Sequence, residues 1–202
     1  MKFNKILIMT ALSLLTMQSF AQTPLASLRK MFSSTVSIEC DYETEFRNTP
    51  VTGHSELVVQ GDMYVMTGNG LQVYCNGGTL WTVDESSREV VIEPCSAQSK
   101  DYMSNPALLL SDIDKLFKVK STKSLGSGKE QCVLEAIVKC GVTKAELVLT
   151  TDGKVVSGKF ILEDGQSLTV KVTSMKKTEE KQKSFFSPQR KFGSDWIVTD
   201  LR

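Results

Sequence analysis

Short turns separate nearly all of the strand-like segments in this 202-residue chain. Runs of alternating or β-branched residues lie between positions 33 and 92 and again between 117 and 175, and brief clusters of Gly, Asn, Asp and Ser interrupt them. Parallel strands need a long crossover at every step, whereas antiparallel strands are joined by turns of this length. The sequence therefore predicts antiparallel pairing.

The strand-like runs are numerous enough to determine the shape of the sheet. Residues 33–46 alternate between apolar and acidic or polar side chains, which is typical of a long strand with one face in water. The whole chain contains about eleven such runs. A single sheet of that size twists until it curls toward a barrel. We therefore predict a mainly β fold with one large curved antiparallel sheet that forms an unclosed β-barrel.

Two short segments are predicted to be helical. In residues 25–32 the apolar side chains of Leu25, Leu28 and Phe32 fall on one stripe. The second helix is expected to begin at Asn105, an N-cap residue that is followed by proline, and to extend to about residue 117. Helices of this length are not stable alone. We expect them to cover the concave side of the sheet as lids or plugs.

The first 21 residues have the form of a secretory signal peptide. Lys2 and Lys5 precede an apolar run over residues 6–17, and Ser19 and Ala21 provide a small-x-small cleavage site. The apolar run is shorter than the roughly 20 residues that a transmembrane helix requires. We expect residues 1–21 to be removed, no transmembrane helix, and one exported domain over residues 22–202.

The charge balance argues against nucleic acid as a partner. The chain has 24 basic and 23 acidic side chains, and its formal net charge is +1. Removing the two lysines of the signal segment brings the mature chain close to neutrality. The basic residues are interspersed with acidic ones, whereas nucleic-acid-binding proteins usually carry a basic stripe that neutralises phosphates.

Five cysteines, Cys40, Cys75, Cys95, Cys132 and Cys140, give an odd number in a compartment that permits disulfides. At most two bonds can form within the chain. Cys132 and Cys140 lie on one predicted strand, where eight residues would separate them by roughly 26 Å, too far for a disulfide. Because the chain has no Cys-x-x-Cys motif, small buried apolar residues are the favoured interpretation.

The sequence offers little support for catalysis. Its one histidine, His54, is next to Ser55, but the strained G-x-S-x-G elbow that would activate a serine is absent. The cysteines are too widely spaced for a zinc site. Residues 126–129 resemble a phosphate-binding loop superficially, yet they connect two predicted strands and lack the full motif. We predict no enzyme activity, no metal and no cofactor.

Several segments follow one another in an order that is typical of a known family. Residues 76–84, NGGTLWTVD, match a strand pair of the form D-G-x-x-L-W-x-Y-D, and residues 90–92 continue it. Residues 162–170 match the hairpin D-x-x-G-Q-x-T, and Phe186 and Pro188 match a terminal F-x-x-P. In this order of segments, the mature chain resembles the periplasmic outer-membrane lipoprotein carrier family (LolA-like) over nearly its whole length.

The resemblance implies an unclosed barrel whose helical lids cover an apolar cavity. Such a protein takes the acyl chains of lipidated proteins from an inner-membrane lipoprotein release complex and transfers them to an outer-membrane acceptor, without cofactor or catalysis. We expect a monomer. The alternative is a lipid- or lipoprotein-binding sensor or structural module on the same fold, without shuttling. Better-known members of the family hold the lid closed with an arginine in the strand equivalent to residues 61–66, where this chain has none.

The predicted cavity wall includes the stretch around Trp81, whose large ring is expected to face the leucines of the central helix. We predict that apolar side chains from the sheet and from the central helix line the cavity. These candidate ligand-binding residues are Phe46, Leu57, Val59, Tyr64, Met66, Leu71, Val73, Trp81, Val90, Ile92, Leu109, Ile113, Phe117 and Phe160.

Overall fold

The structure is a computed structural model, and it describes residues 24–46, 49–95, 102 and 105–202. The predicted signal peptide, residues 1–21, lies outside the described residues, as does most of the predicted loop over residues 94–104. Among the residues that are described, no helix is long and apolar enough to span a bilayer.

Twelve strands form one sheet within the described residues. The strands are β1 (Val36–Phe46), β2 (Thr49–Gln60), β3 (Met63–Gly68), β4 (Leu71–Cys75), β5 (Thr79–Asp84), β6 (Glu89–Pro94), β7 (Phe117–Gly126), β8 (Lys129–Ala136), β9 (Val142–Thr150), β10 (Val155–Leu162), β11 (Ser167–Lys177) and β12 (Ile197–Asp200). The helices are α1 (Pro24–Phe32), α2 (Pro106–Ser111), α3 (Ile113–Leu116) and a 3-10 helix (Lys183–Phe186).

The strand order is β12-β6-β5-β4-β3-β2-β1-β11-β10-β9-β8-β7, so β12 and β7 are the two edges and the sheet is open. It consists of two meanders, β2 to β6 and β7 to β11, which are joined where β1 pairs with β11. In that pairing Ile38 is opposite Met175, and the register shifts between Glu39 and Cys40. Such a bulge increases the local bend of a strand. The predicted mainly β fold with an unclosed barrel is confirmed.

Two details differ from the sequence prediction. The sheet has twelve strands, where the sequence predicts about eleven, and the last strand, β12, pairs in parallel with β6 instead of antiparallel, for example Val198 with Val90. The predicted central helix is two helices that meet at Asp112, which is the C-cap of α2 and the N-cap of α3. The Asp112 side chain does not cap α3, and instead accepts a hydrogen bond from Lys115 Nζ at 2.6 Å.

Alternate residues of the strands form a continuous apolar inner face. Successive pairings bring Leu80, Cys75, Tyr64, Val59 and Val36 into one row across five strands. All of these side chains belong to the main core cluster. The helices complete that core with Leu25, Leu28, Met31, Phe32, Ala107, Leu108, Leu109, Ile113 and Leu116.

A smaller apolar cluster, which we call the outer cluster, lies on the opposite face of the sheet. Trp81 pairs with Tyr74 and Ile92, whereas its neighbour Leu80 points into the main core. Adjacent residues of a strand face opposite sides, so the Trp81 ring faces outward. The outer cluster is completed by the C-terminal segment and consists of Val83, Val90, Ile92, Tyr74, Trp81, Phe192 and Trp196.

The two Asp-Gly turns form hairpins as predicted, but one of them also supports a helix. Gly153 and Gly165 both have a left-handed backbone, with φ of +83° and +85°. A Cβ on Gly153 would lie 2.3 Å from the carbonyl oxygen of Ser27, in α1, whereas a Cβ on Gly165 would have nothing within 4 Å. The β9–β10 turn therefore packs directly against the backbone of α1.

We expect Gly153→Ala to destabilise the protein more than Gly165→Ala. Both variants bear the cost of a left-handed alanine, about 1–2 kcal/mol. Gly153→Ala additionally forces α1 away from the turn, and such overpacking typically costs about 1–3 kcal/mol. Urea denaturation of the two variants measures the difference, and equal losses of stability would contradict the close packing of α1 on this turn.

Candidate ligand cavity

An apolar cavity of about 260 Å³ lies between the inner face of the sheet and the three helices. Among the described residues, no charged side chain lines it. The lining residues are Leu28, Phe32, Ile38, Cys40, Leu57, Tyr102, Pro106, Leu109, Leu110, Ile113, Val142, Leu147, Val155, Gly158, Phe160, Leu162, Leu168, Val170 and Val172.

The helices place side chains in the cavity through their spacing. Leu28 and Phe32 of α1 are four residues apart, a spacing that places them on the same face of that helix. Leu109 of α2 and Ile113 of α3 lie on either side of the break at Asp112, and both line the cavity. The beginning of α2 is fixed by Asn105, whose side chain accepts a hydrogen bond from the N–H of Leu108 at 3.1 Å.

The sheet forms the opposite wall, and a glycine makes room there for an aromatic ring. Gly158 is paired with Leu147 on one side and Val170 on the other. A Cβ at Gly158 would lie 2.9 Å from the ring of Phe160 and 3.1 Å from the Leu147 side chain. The ring therefore occupies space that another residue type would fill, which gives Gly158 a packing role within its strand.

The two ionisable groups in the lining, Cys40 and Tyr102, are kept neutral by their surroundings. Burial raises the pKa of the Cys40 thiol, and the neighbouring Asp41 carboxylate adds to this effect. Burial also raises the pKa of the Tyr102 phenol, with a further contribution from Asp112. Because desolvation disfavours their charged forms, both groups leave the cavity uncharged at neutral pH.

An ion pair joins α1 to α3 above the cavity. The Arg29 guanidinium donates to the Asp114 carboxylate at 2.7 Å, and 62% of the Arg29 side chain remains exposed. The stretch over residues 61–66, which is equivalent to the arginine-bearing strand of the family that the sequence resembles, instead places the buried Tyr64 in the core. Arg29 therefore connects two of the three helices over the cavity, α1 and α3, through a direct ion pair.

The structure places the predicted ligand-binding residues in different environments. Leu57, Leu109, Ile113 and Phe160 line the cavity. Five more belong to the surrounding core or pack against it without lining the cavity, namely Val59, Tyr64, Met66, Val73 and Phe117.

The prediction that Trp81 faces the central helix is wrong. Trp81, Val90 and Ile92 belong to the outer cluster, because the strand register turns their side chains away from the cavity. Leu71 is 40% exposed near the end of the inner face. Phe46 lies in β1, but its side chain is outside the described part of the chain.

The sequence prediction missed most of the wall contributed by the second meander. Strands β9 to β11 supply Leu147, Val155, Leu162, Leu168 and Val170, among others. A signal was present for some of them, since Val170 lies between the more exposed Thr169 and Lys171, and Leu147 is more buried than its two neighbours. Alternation does not predict that β11 pairs with β1. This pairing brings the second meander to the same cavity as the first.

The only histidine, His54, lies away from the cavity. Its Nδ1 is 2.9 Å from the Asp41 carboxylate, and both side chains are more than half exposed. The hydrogen bond with Asp41 raises the pKa of His54. Within the described residues, no group of three or more His, Cys, Asp or Glu side chains is arranged to hold a metal ion. His54 therefore pairs with Asp41, which is directly opposite it on the exposed face of the β1–β2 strand pair.

Comparison with known proteins identifies similar folds. No family model and no curated protein matches the sequence. An uncharacterized conserved protein from Thermus thermophilus aligns with 90% of this chain and 99% of its own, at 14% identity and a TM-score of 0.56. At this identity the likeness concerns the fold alone.

A LolA superfamily protein from Nitrosomonas europaea aligns with 83% of this chain and 97% of its own, at 11% identity and a TM-score of 0.46. A DUF1329 family protein from Desulfovibrio piger aligns with 83% of this chain and 96% of its own, at 10% identity and a TM-score of 0.48. The structural neighbours thus include a LolA-like protein. This is the family that the sequence resembles.

We expect Arg29→Ala to accelerate the uptake of an apolar probe while barely changing stability. The variant removes the ion pair between α1 and α3, so the helices separate more readily. Because the pair is exposed, its loss should cost at most about 1 kcal/mol. Stopped-flow fluorescence with 1-anilinonaphthalene-8-sulfonate measures the uptake rate, and thermal unfolding measures stability.

The matched control is Arg88→Ala. Arg88 pairs with Asp195 at 3.2 Å, and its side chain is also 62% exposed, but this pair links the β5–β6 turn to the segment before β12 and not two of the helices. Uptake by this variant should equal that of the unmodified protein. Equal uptake rates in the Arg29 and Arg88 variants would show that the α1–α3 ion pair does not control access.

Proposed function

We propose that this protein is a periplasmic carrier that binds the acyl chains of lipoproteins in the cavity and transports them from the inner to the outer membrane. The observation that carries the proposal is an apolar cavity of about 260 Å³, with no charged lining among the described residues, beneath three short helices. The resemblance of the sequence to the LolA-like family supports lipidated proteins as the cargo.

The composition of the cavity suits a hydrocarbon chain. Each buried CH₂ group contributes about 0.8 kcal/mol, and this contribution needs no directional hydrogen bond. Leu57, Leu109, Ile113 and Phe160 offer apolar contacts from both the sheet and the helices. An acyl chain is therefore bound through the amount of surface that it buries, which allows one site to accept many different lipoproteins.

The size of the cavity indicates that cargo binding requires movement of the helices. Ligand pockets usually have volumes of about 300–1,000 Å³, and the cavity of about 260 Å³ lies below that range. Helices α1, α2 and α3 have nine, six and four residues, so moving them breaks few backbone hydrogen bonds. Opening of these helices would admit the acyl chains, and their closure would shield the chains from water.

The direct test is to identify what the protein carries. The full chain is purified from the periplasm of its own cells without detergent, and the extract is analysed by mass spectrometry for acyl-modified proteins and lipids. We expect acylated proteins at a substantial fraction of the carrier. Recovery of consistently empty protein from growing cells would contradict the carrier function.

A pair of variants in β11 tests the location of the cargo. Val170 lines the cavity, whereas its neighbour Lys171 is exposed on the opposite face. Val170→Trp should fill the cavity and reduce the recovered cargo to a minor fraction, and Lys171→Trp should leave it unchanged. Circular dichroism checks that both variants fold, and equal cargo in the two folded variants would place the site elsewhere.

A further inference from the structure

Two buried cysteines meet at the edge of the core. The sulfur atoms of Cys75 and Cys95 are 3.0 Å apart. Cys75 is fully buried and Cys95 is 8% exposed. This separation is shorter than the roughly 3.5–4.0 Å at which nonbonded carbon atoms pack, although sulfur is the larger atom. The two side chains therefore point directly at each other.

Backbone pairing fixes both cysteines in place. Cys75 ends β4 and is paired with Leu80 in β5. Cys95 follows β6, and its N–H donates to the carbonyl oxygen of Gly78 at 3.0 Å. Because β5 separates the two strands that carry the cysteines, the register of three strands determines the approach of the sulfurs. A covalent bond at this position requires the two sulfurs to approach each other by about 1 Å.

We propose that Cys75 and Cys95 form a disulfide bond in the exported protein. The oxidant is a protein disulfide or a low-molecular-weight disulfide. One cysteine thiolate attacks the oxidant and forms a mixed disulfide, and the second thiolate displaces the oxidant's remaining thiolate. The two cysteines lose two protons and two electrons in total, and the oxidant is reduced to two thiols. The bond would form whether or not the cavity receives acyl chains.

The other three cysteines are not arranged for a second bond. Cys40 lines the cavity, Cys132 lies within β8, and the Cys140 sulfur is 3.4 Å from the carbonyl oxygen of Val142. All five cysteines lie in the described part of the chain, and Cys75 and Cys95 are the pair whose sulfurs are in contact. The odd number of cysteines is thus divided into one bonded pair and three thiols.

The burial of the pair determines when the bond can form. Burial and the hydrogen bond with Cys95 raise the pKa of Cys75 to about 12. The thiolate is the reactive form, and it is scarce at neutral pH once the protein has folded. Oxidation therefore takes place while the chain folds, and the completed bond is then protected from reductants.

The pair also supports the beginning of α2. The side-chain amide nitrogen of Asn105 lies 3.8 Å from the Cys75 sulfur and 3.7 Å from the Cys95 sulfur. The same nitrogen donates to the carbonyl oxygen of Asp62 at 3.1 Å. Since Asn105 is the N-cap of α2, whose Leu109 lines the cavity, the disulfide holds the surface on which this helix starts.

Counting free thiols tests the bond. The full chain is recovered from the periplasm of an expression host, and separately refolded from denaturant with a mixture of reduced and oxidised glutathione. Each sample is denatured, alkylated without reductant and weighed by mass spectrometry. We expect three alkylated cysteines, and a peptide map that links Cys75 to Cys95. Five alkylated cysteines in both samples, or a different linked pair, would overturn the proposal.

Two single substitutions provide matched controls, because each leaves four cysteines. Cys75→Ser removes one partner and should give four alkylated cysteines. Cys132→Ser removes an equally buried cysteine outside the pair and should give two. Circular dichroism checks that both variants fold, because the proposed bond depends on the strand register of the folded protein. Equal counts in the two variants would contradict the assignment.

A stability measurement provides an independent readout. Closing a loop of this length typically stabilises a protein enough to raise the Tm of a chain of this size by about 6–12 °C. Reduction under denaturing conditions, followed by refolding with reductant present, should lower the Tm of the unmodified protein by that amount. The double variant Cys75→Ala/Cys95→Ala should show no dependence on reductant. An equal shift in both proteins would overturn the role of this pair.

Discussion

One constraint dominates this structure, namely that a single curved sheet has an apolar inner face and no second sheet to cover it. Apolar faces must be buried for a domain to be stable. Here three helices of nine, six and four residues provide the cover. Helices this short are unstable alone, so they depend on the sheet as much as the sheet depends on them. The cover is consequently the part of the core that opens at the lowest cost.

The helices are held at a few defined points. The hairpin at Gly153 packs against the backbone of α1, and Arg29 connects α1 to α3. Asn105 fixes the beginning of α2 beside the two cysteines. The carbonyl oxygen of Leu116 in α3 also accepts a hydrogen bond from the N–H of Ile137 at 2.8 Å. The side chains that pack between these points are apolar, and their contacts are nondirectional. This combination suits the opening that the proposed carrier function requires.

Local signals in the sequence predicted the local structure well. The Asp152-Gly153 turn and the break before Pro106 depend on neighbouring residues, and both appear in the structure. The environment of Trp81 is different, because β5 carries apolar residues on both faces and alternation alone does not tell which face is inward. The outer cluster that contains Trp81 is completed by Phe192 and Trp196, more than a hundred residues later. The sequence prediction missed most of the cavity wall formed by β9 to β11 for a similar reason, because the pairing of β1 with β11 is nonlocal.

The join between β1 and β11 has a consequence for how the protein matures. Each meander consists of sequence-local hairpins, but Val36 pairs with Lys177 across most of the chain. Contacts between such distant residues form slowly, because the intervening chain must first be ordered. The cavity draws its walls from both sides of this join, so it is complete only once the join has formed. A partly synthesised chain that ends before β11 therefore lacks part of the cavity wall.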